Sequence, residues 1–180
     1  MPVLAINYDK GTYGACQYNT CSITISSSGT VSLDVTPTPS GACTTQSDDV
    51  SVFTDNSSGF TLSLGNSGTN TSLTNGSSNI TSSTASQSSP AALTANTWGY
   101  RVDGVGGFGA GPTTAQTNIS LNSTKFAGVP ASNDLPDTLA NTSVAADPAV
   151  DTTAWYSVCV NTSTVSGLYT SQVTYTAITN

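Results

Sequence analysis

Glutamate does not occur in this chain of 180 residues, and only Lys10, Arg101 and Lys125 are basic. Glu, Lys and Arg are the residues that solvate the outer face of a helix, so the chain lacks the material for amphipathic helices. In their place stand 28 serines, 31 threonines, 14 asparagines and 16 glycines. Threonine suits strands; serine, asparagine and glycine suit turns. A helical bundle is excluded on that ground, and so is a doubly wound nucleotide-binding fold, which needs several helices. The apolar residues fall in alternating patterns, and 7 Tyr, 4 Phe and 2 Trp can supply a core. A chain of this size buries about 70% of its extended surface without help from a metal.

The formal charge is −7. Nucleic acid binding needs a basic stripe that three cations cannot build. Attraction to an anionic membrane fails for the same reason. No apolar run approaches the length of a membrane-spanning helix, so no direct membrane insertion is expected. Met1-Pro2 leads straight into Val3-Leu4-Ala5-Ile6, which is strand-like and too short for the apolar region of a secretory signal. Met1 therefore reads as an added start on a trimmed chain, with any native signal and downstream anchor removed.

Four cysteines, Cys16, Cys21, Cys43 and Cys159, in an acidic chain rich in hydroxyls point to an oxidising compartment. Three pairings are open. The favoured one is Cys16–Cys21, closing a local loop, with Cys43–Cys159, tying an early strand to a late one. In the chain-entropy model the long closure contributes roughly 4–5 kcal/mol and the short one about 2. With no C-x-x-C pair and no histidine, a zinc site is not expected.

Alternation predicts strands at 22–26 and 31–35, joined through Ser28-Gly29 as a hairpin. It predicts a second hairpin from Val50–Phe53 through Asp55–Gly59 to Phe60–Leu64. Further strands are expected at 98–102, 154–160 and 169–178. In the last, Tyr169, Val173, Tyr175 and Ala177 share one face. Between Gly65 and Thr97, 16 of 33 residues are Ser or Thr; the stretch is either a decorated loop or a set of exposed edge strands. Pro130 to Asp151, with three prolines and four aspartates, reads as a long surface loop. The expected fold is all-β: an antiparallel β-sandwich, Ig-like or jelly-roll-like, with long Ser/Thr/Asn-rich loops. It forms a single domain over 1–180, in which 1–21 is an N-terminal strand or extension.

Catalytic chemistry finds little to use. Without histidine there is no Ser-His-Asp or Cys-His arrangement. Residue 122, where a Ser-Lys mechanism wants serine, is Asn, and no G-x-S-x-G occurs. The acid pairs Asp48/Asp49, Asp134/Asp137 and Asp147/Asp151 sit in or beside polar turns and read as solvated acids. Gly104-Val105-Gly106-Gly107-Phe108-Gly109 is formally G-x-G-x-x-G, but Ala110-Gly111-Pro112 does not open the helix that a dinucleotide site needs, so it reads as a loop after a strand. The chain is not expected to be an enzyme and no cofactor is expected. Calcium, which takes only oxygens, is the metal that the Asp134–Asp137 and Asp147–Asp151 loops best suit. Lys10, beside Asp9, is a candidate for an intramolecular crosslink to Asn161 or Asn180, set against an ordinary solvated lysine. Trp98 and Tyr100 lie on one face of their strand and are candidates for a glycan-stacking platform; the competing reading places them in the core. Eight N-x-[ST] triplets begin at Asn56, Asn70, Asn75, Asn79, Asn118, Asn122, Asn141 and Asn161.

Three stretches carry a resemblance: Ala95-Asn96-Thr97-Trp98-Gly99-Tyr100-Arg101-Val102-Asp103-Gly104, Phe126-Ala127-Gly128-Val129-Pro130-Ala131, and Gly167 through Ala177. Over roughly residues 31 to 180 the chain resembles β-sandwich domains in secreted surface proteins of candidate-phyla-radiation (Saccharibacteria-like) bacteria. It is more distantly similar to the WxL surface domains of Gram-positive bacteria. Neither Trp98-Gly99-Tyr100 nor Trp155-Tyr156-Ser157 fits W-x-L, so the peptidoglycan attachment of that family does not carry over. The resemblance implies a secreted, cell-surface β-sandwich with a structural or adhesive role and supplies no catalytic residue. A filament built by strand exchange, with Val3 to Tyr8 as the donated strand, is the leading expectation. Its partners are other copies of itself or host and cell-surface molecules. A carbohydrate-binding module recognising glycans is the alternative.

Overall fold

The fold is given by a computed structural model that describes residues 21–180. Among the described residues there is no helix. The strands in chain order are β1 (Ile23–Ser27), β2 (Ala42–Thr54), β3 (Phe60–Asn66), β4 (Leu73–Asn75), β5 (Ser78–Ser82) and β6 (Ala91–Ala92). They continue with β7 (Thr97–Arg101), β8 (Gln116–Ser120), β9 (Lys125–Phe126), β10 (Asp137–Asn141), β11 (Ala146–Val160) and β12 (Val173–Thr179). The protein is an all-β sandwich, as composition and alternation predict.

The main sheet runs β1-β2-β11-β7-β5-β4, with β8 also on β2. A second sheet, β10-β3-β12, packs on its inner face, and a ribbon of β6 and β9 lies on its outer face. The even-numbered side chains of β2 and β11 meet Phe60, Leu62 and Leu64 of β3 and Leu139 of β10 between the sheets. Val50, Val52, Phe60, Leu62 and Leu64 are fully buried there. A smaller outer core holds Cys43, Cys159, Leu93 and Phe126. Among the described residues the buried hydroxyls are paired, Ser82 Oγ on β5 excepted. Buried Thr45 Oγ1 donates to Ser157 Oγ at 2.9 Å, and that hydroxyl donates to Thr44 O at 3.1 Å. Paired in this way, a buried hydroxyl escapes its desolvation cost.

Both expected hairpins are corrected. β1 pairs with the far end of β2, Ile23 opposite Thr54 and Ser27 opposite Val50. Residues 31–35 form no strand. Their alternation survives as packing, with Val31, Leu33 and Val35 against the core, while Thr44 Oγ1 donates to Asp34 O at 2.7 Å. β2 and β3 lie in different sheets, so the chain between them is an arch. The arch is held by Asn56, which is fully buried. Its Nδ2 donates to Gly59 O and Asn180 O, and its Oδ1 accepts from Ser58 N–H. This consumes the amide of one N-x-[ST] triplet. Gly59, at φ +80°, is required there, since a Cβ would collide with Thr142 O.

The Gly65–Thr97 stretch is built of short strands, of which β4 forms the sheet edge. Pro130–Asp151 is not a surface loop. It contains β10 and the start of β11, and the register shift between Ala146 and Val150 accommodates Pro148 in a strand. The last strand is half-buried as expected, with Val173, Tyr175 and Ala177 turned to the core.

Candidate functional site

The Cys43–Cys159 disulfide is formed, joining directly opposed residues of β2 and β11 whose Cα atoms are 4.1 Å apart. Cys21 is also disulfide-bonded. Cys16 and Lys10 lie outside the described residues, as do Val3 to Tyr8.

Trp98 and Tyr100 do not form a surface platform. Trp98 is 3% exposed and Tyr100 fully buried. Trp98 Nε1 donates to Thr71 O at 3.0 Å, the Tyr100 hydroxyl donates to Asp137 Oδ2 at 2.6 Å, and the Tyr100 ring meets Phe108 edge-on. β7 is covered on both faces, by the second sheet inside and by the outer ribbon, so neither face of the strand reaches solvent.

The aspartates divide. Asp48 is buried rather than solvated, and accepts from Ser28 N–H and Oγ at 2.9 and 2.5 Å. Asp49 accepts from Thr153 Oγ1 at 2.7 Å. Asp134, Asp147 and Asp151 are exposed. Among the described residues no three Asp or Cys side chains gather as a metal-ligand set, and Asp137 of the expected calcium loop is engaged by Tyr100. Burial raises the Asp137 carboxyl above its ordinary value of 3.8, outweighing the Tyr100 hydrogen bond, which lowers it. A carboxyl raised in the fold contributes stability below its unfolded pKa and loses it as pH climbs through the folded value. Asp137→Asn keeps an acceptor for Tyr100 and removes the charge. Its unfolding midpoint relative to the native chain is therefore expected to improve steadily from pH 3 to pH 7 in denaturant titrations. A constant offset across that range contradicts the assignment. On β11 and β12, burial likewise pushes the hydroxyls of Tyr156 and Tyr175 up, and the two share a hydrogen bond of 2.7 Å.

The formal G-x-G-x-x-G is a loop wrapped on Arg101. The Arg101 Nη1 donates to Phe108 O at 2.6 Å and Nη2 to Gly109 O at 3.3 Å, with the Phe108 ring 5.9 Å from the guanidinium. Nε donates to Asp103 Oδ1 at 2.7 Å and Thr113 Oγ1 at 2.6 Å. Burial raises the Asp103 carboxyl, but the two Thr113 hydrogen bonds and Arg101 prevail and hold it below the usual range.

The feature that sequence reading missed lies where β7 stops. β7 pairs with β11 only from Trp155↔Arg101 to Cys159↔Thr97. β11 runs on, paired with β2 alone from Ala154 to Val150. Asn96 N–H donates to Cys159 O across the β7 side, so Cys159 and every second residue before it turn their backbone groups that way. Asp151 and Thr153 thus present N–H and C=O beyond the end of β7. Beside this edge runs a groove of about 540 Å³, with Val102, Val105, Leu139, Ala140 and Val150 among its lining and Trp155 at its rim. Nothing in the sequence signals it, because it arises from the mismatch between a 15-residue strand and a 5-residue neighbour.

No family model, curated protein or solved structure matches this chain.

Proposed function

We propose that this protein is an extracellular structural module that assembles with copies of itself by adding a strand to an open sheet edge. One observation carries the reading: the edge of β11 from Val150 to Ala154 is left without a strand partner on the β7 side, beside an apolar groove. Such an edge is a hazard in a monomer and a joint in a polymer. The Cys43–Cys159 bond fits an oxidising compartment, and no helix of the described residues is long and apolar enough to cross a membrane. Hydroxyls and amides solvate the outer surfaces without charge, which suits close packing of like subunits better than a strongly charged surface would. The alternative, a glycan-binding module, loses its supporting observation with Trp98 and Tyr100 buried. Negative-stain microscopy of the full chain at high concentration tests the proposal. Fibres of one-subunit width are the expected result, and uniformly dispersed monomers overturn it.

A further inference from the structure

We propose that the open stretch of β11 is the acceptor for Val3-Leu4-Ala5-Ile6-Asn7-Tyr8 of a second copy, which enters as a strand in line with β7. This rests on the assembly reading above and names its joint.

The acceptor is defined by hydrogen bonding and shape. Thr153 and Asp151 offer two N–H and two C=O groups along the edge from Val150 to Ala154. Five residues of strand span about 17 Å, so the site takes a segment of five or six residues. The groove admits side chains on one side of that strand only, towards Val102, Leu139 and Val150. The neighbouring edge of β10 is already occupied, since Gln87 Nε2 donates to Thr138 O at 2.8 Å. The outer edges of β1 and β12 are open as well, and β11 is favoured over them because its edge runs beside the apolar groove.

The segment from Val3 to Tyr8 has the matching pattern. Leu4, Ile6 and Tyr8 fall on one side and Val3, Ala5 and Asn7 on the other. The larger set fills the groove and the smaller set faces outward. Between Tyr8 and Ile23 lie 14 residues, 9 through 22, which span up to about 40 Å when extended with the expected Cys16–Cys21 bridge closed. That length is what a segment needs to leave its own sandwich for a neighbouring copy. Donor and acceptor are different surfaces, so each copy gives one strand and takes one, and the contact propagates without closing.

The test uses full-length variants in sedimentation velocity. Thr153→Pro deletes the N–H that faces the groove and leaves the β2 side of the ladder intact, as proline on an open edge can. Ala140→Gln fills the groove without touching that backbone. Ile6→Asp spoils the donor. The native chain is expected to form concentration-dependent polymers. Each single variant is expected to associate at least about tenfold more weakly, the loss of one hydrogen bond plus the steric block. A 1:1 mixture of Ile6→Asp with Thr153→Pro pairs one intact acceptor with one intact donor, and is expected to stop at heterodimers. Polymers persisting in both Thr153→Pro and Ala140→Gln overturn this joint while leaving assembly standing. A native chain that stays monomeric overturns both readings. A monomeric native chain whose residues 3–8 are protected from amide exchange shows the segment filling its own groove, which also overturns donation between copies.

Discussion

Exchanging Cys43 and Cys159 together for alanine is expected to cost this protein roughly 4–5 kcal/mol of unfolding free energy. The bond closes a loop with a sequence separation of 116, and the chain entropy it withholds from the unfolded state grows with loop length. A local term adds to this. Both cysteines are buried, at 3% and 2% exposure, in the small outer core with Leu93 and Phe126, so truncation leaves a void that few neighbours can fill. A domain with 5–15 kcal/mol in total cannot lose that much and keep a comfortable margin. Equilibrium denaturation of the double variant, followed by circular dichroism, measures the loss. A change below about 1 kcal/mol means that the directly opposed strands hold β2 and β11 together in the unfolded ensemble without the bond.

Arg101→Met is expected to cost about 1.5–3 kcal/mol, the range for losing hydrogen bonds made by a charged group, since Arg101 is buried but its partner Asp103 is only partly so. The side chain of Arg101 is 7% exposed and that of Asp103 28%. Methionine fills similar space but leaves the carbonyls of Phe108 and Gly109 and one Asp103 oxygen short of donors. Lysine is expected to rescue little, because one ammonium cannot serve Asp103, Thr113 and two carbonyls at once. The pH profile separates a charge role from a packing role. A carboxyl held low in the fold, as Asp103 is, contributes stability above its unfolded pKa and loses it as pH falls through the folded value. With Arg101 gone, the native chain's advantage over the variant is expected to shrink as the solution is acidified below about pH 4. An advantage that stays constant assigns Arg101 to packing alone.

The strands were legible and their partners were not. Alternation at 22–26, 50–53, 60–64 and 169–178 locates β1, the end of β2, β3 and β12, though β12 begins only at Val173, because burial on one face imposes a period of two. It says nothing about which edge a strand pairs through. Residues 31–35 alternate in burial as a strand does, yet their backbone joins no ladder. Asp55–Gly59 has the length and composition of a hairpin turn, and the same residues build an arch once Asn56 is buried between Gly59 and Asn180. Of the two readings of Trp98 and Tyr100 the core one holds, and the ribbon covering β7 from outside was not legible because it comes from β6 and β9, two residues each. The covalent link from Cys43 to Cys159 was readable because only three pairings exist for four cysteines. The groove beside β11 was not readable, since it is set by where β7 ends, and that end is fixed by Arg101 turning the chain into the glycine loop.

The same covalent link decides how this molecule carries tension. A pull on the N-terminal segment can peel β1, which lies outside the closed loop. The 116-residue span between the sulfurs stays out of the load path, withholding roughly 400 Å of slack. Under strain, a string of such units would lengthen by short increments and hold, rather than unravel subunit by subunit.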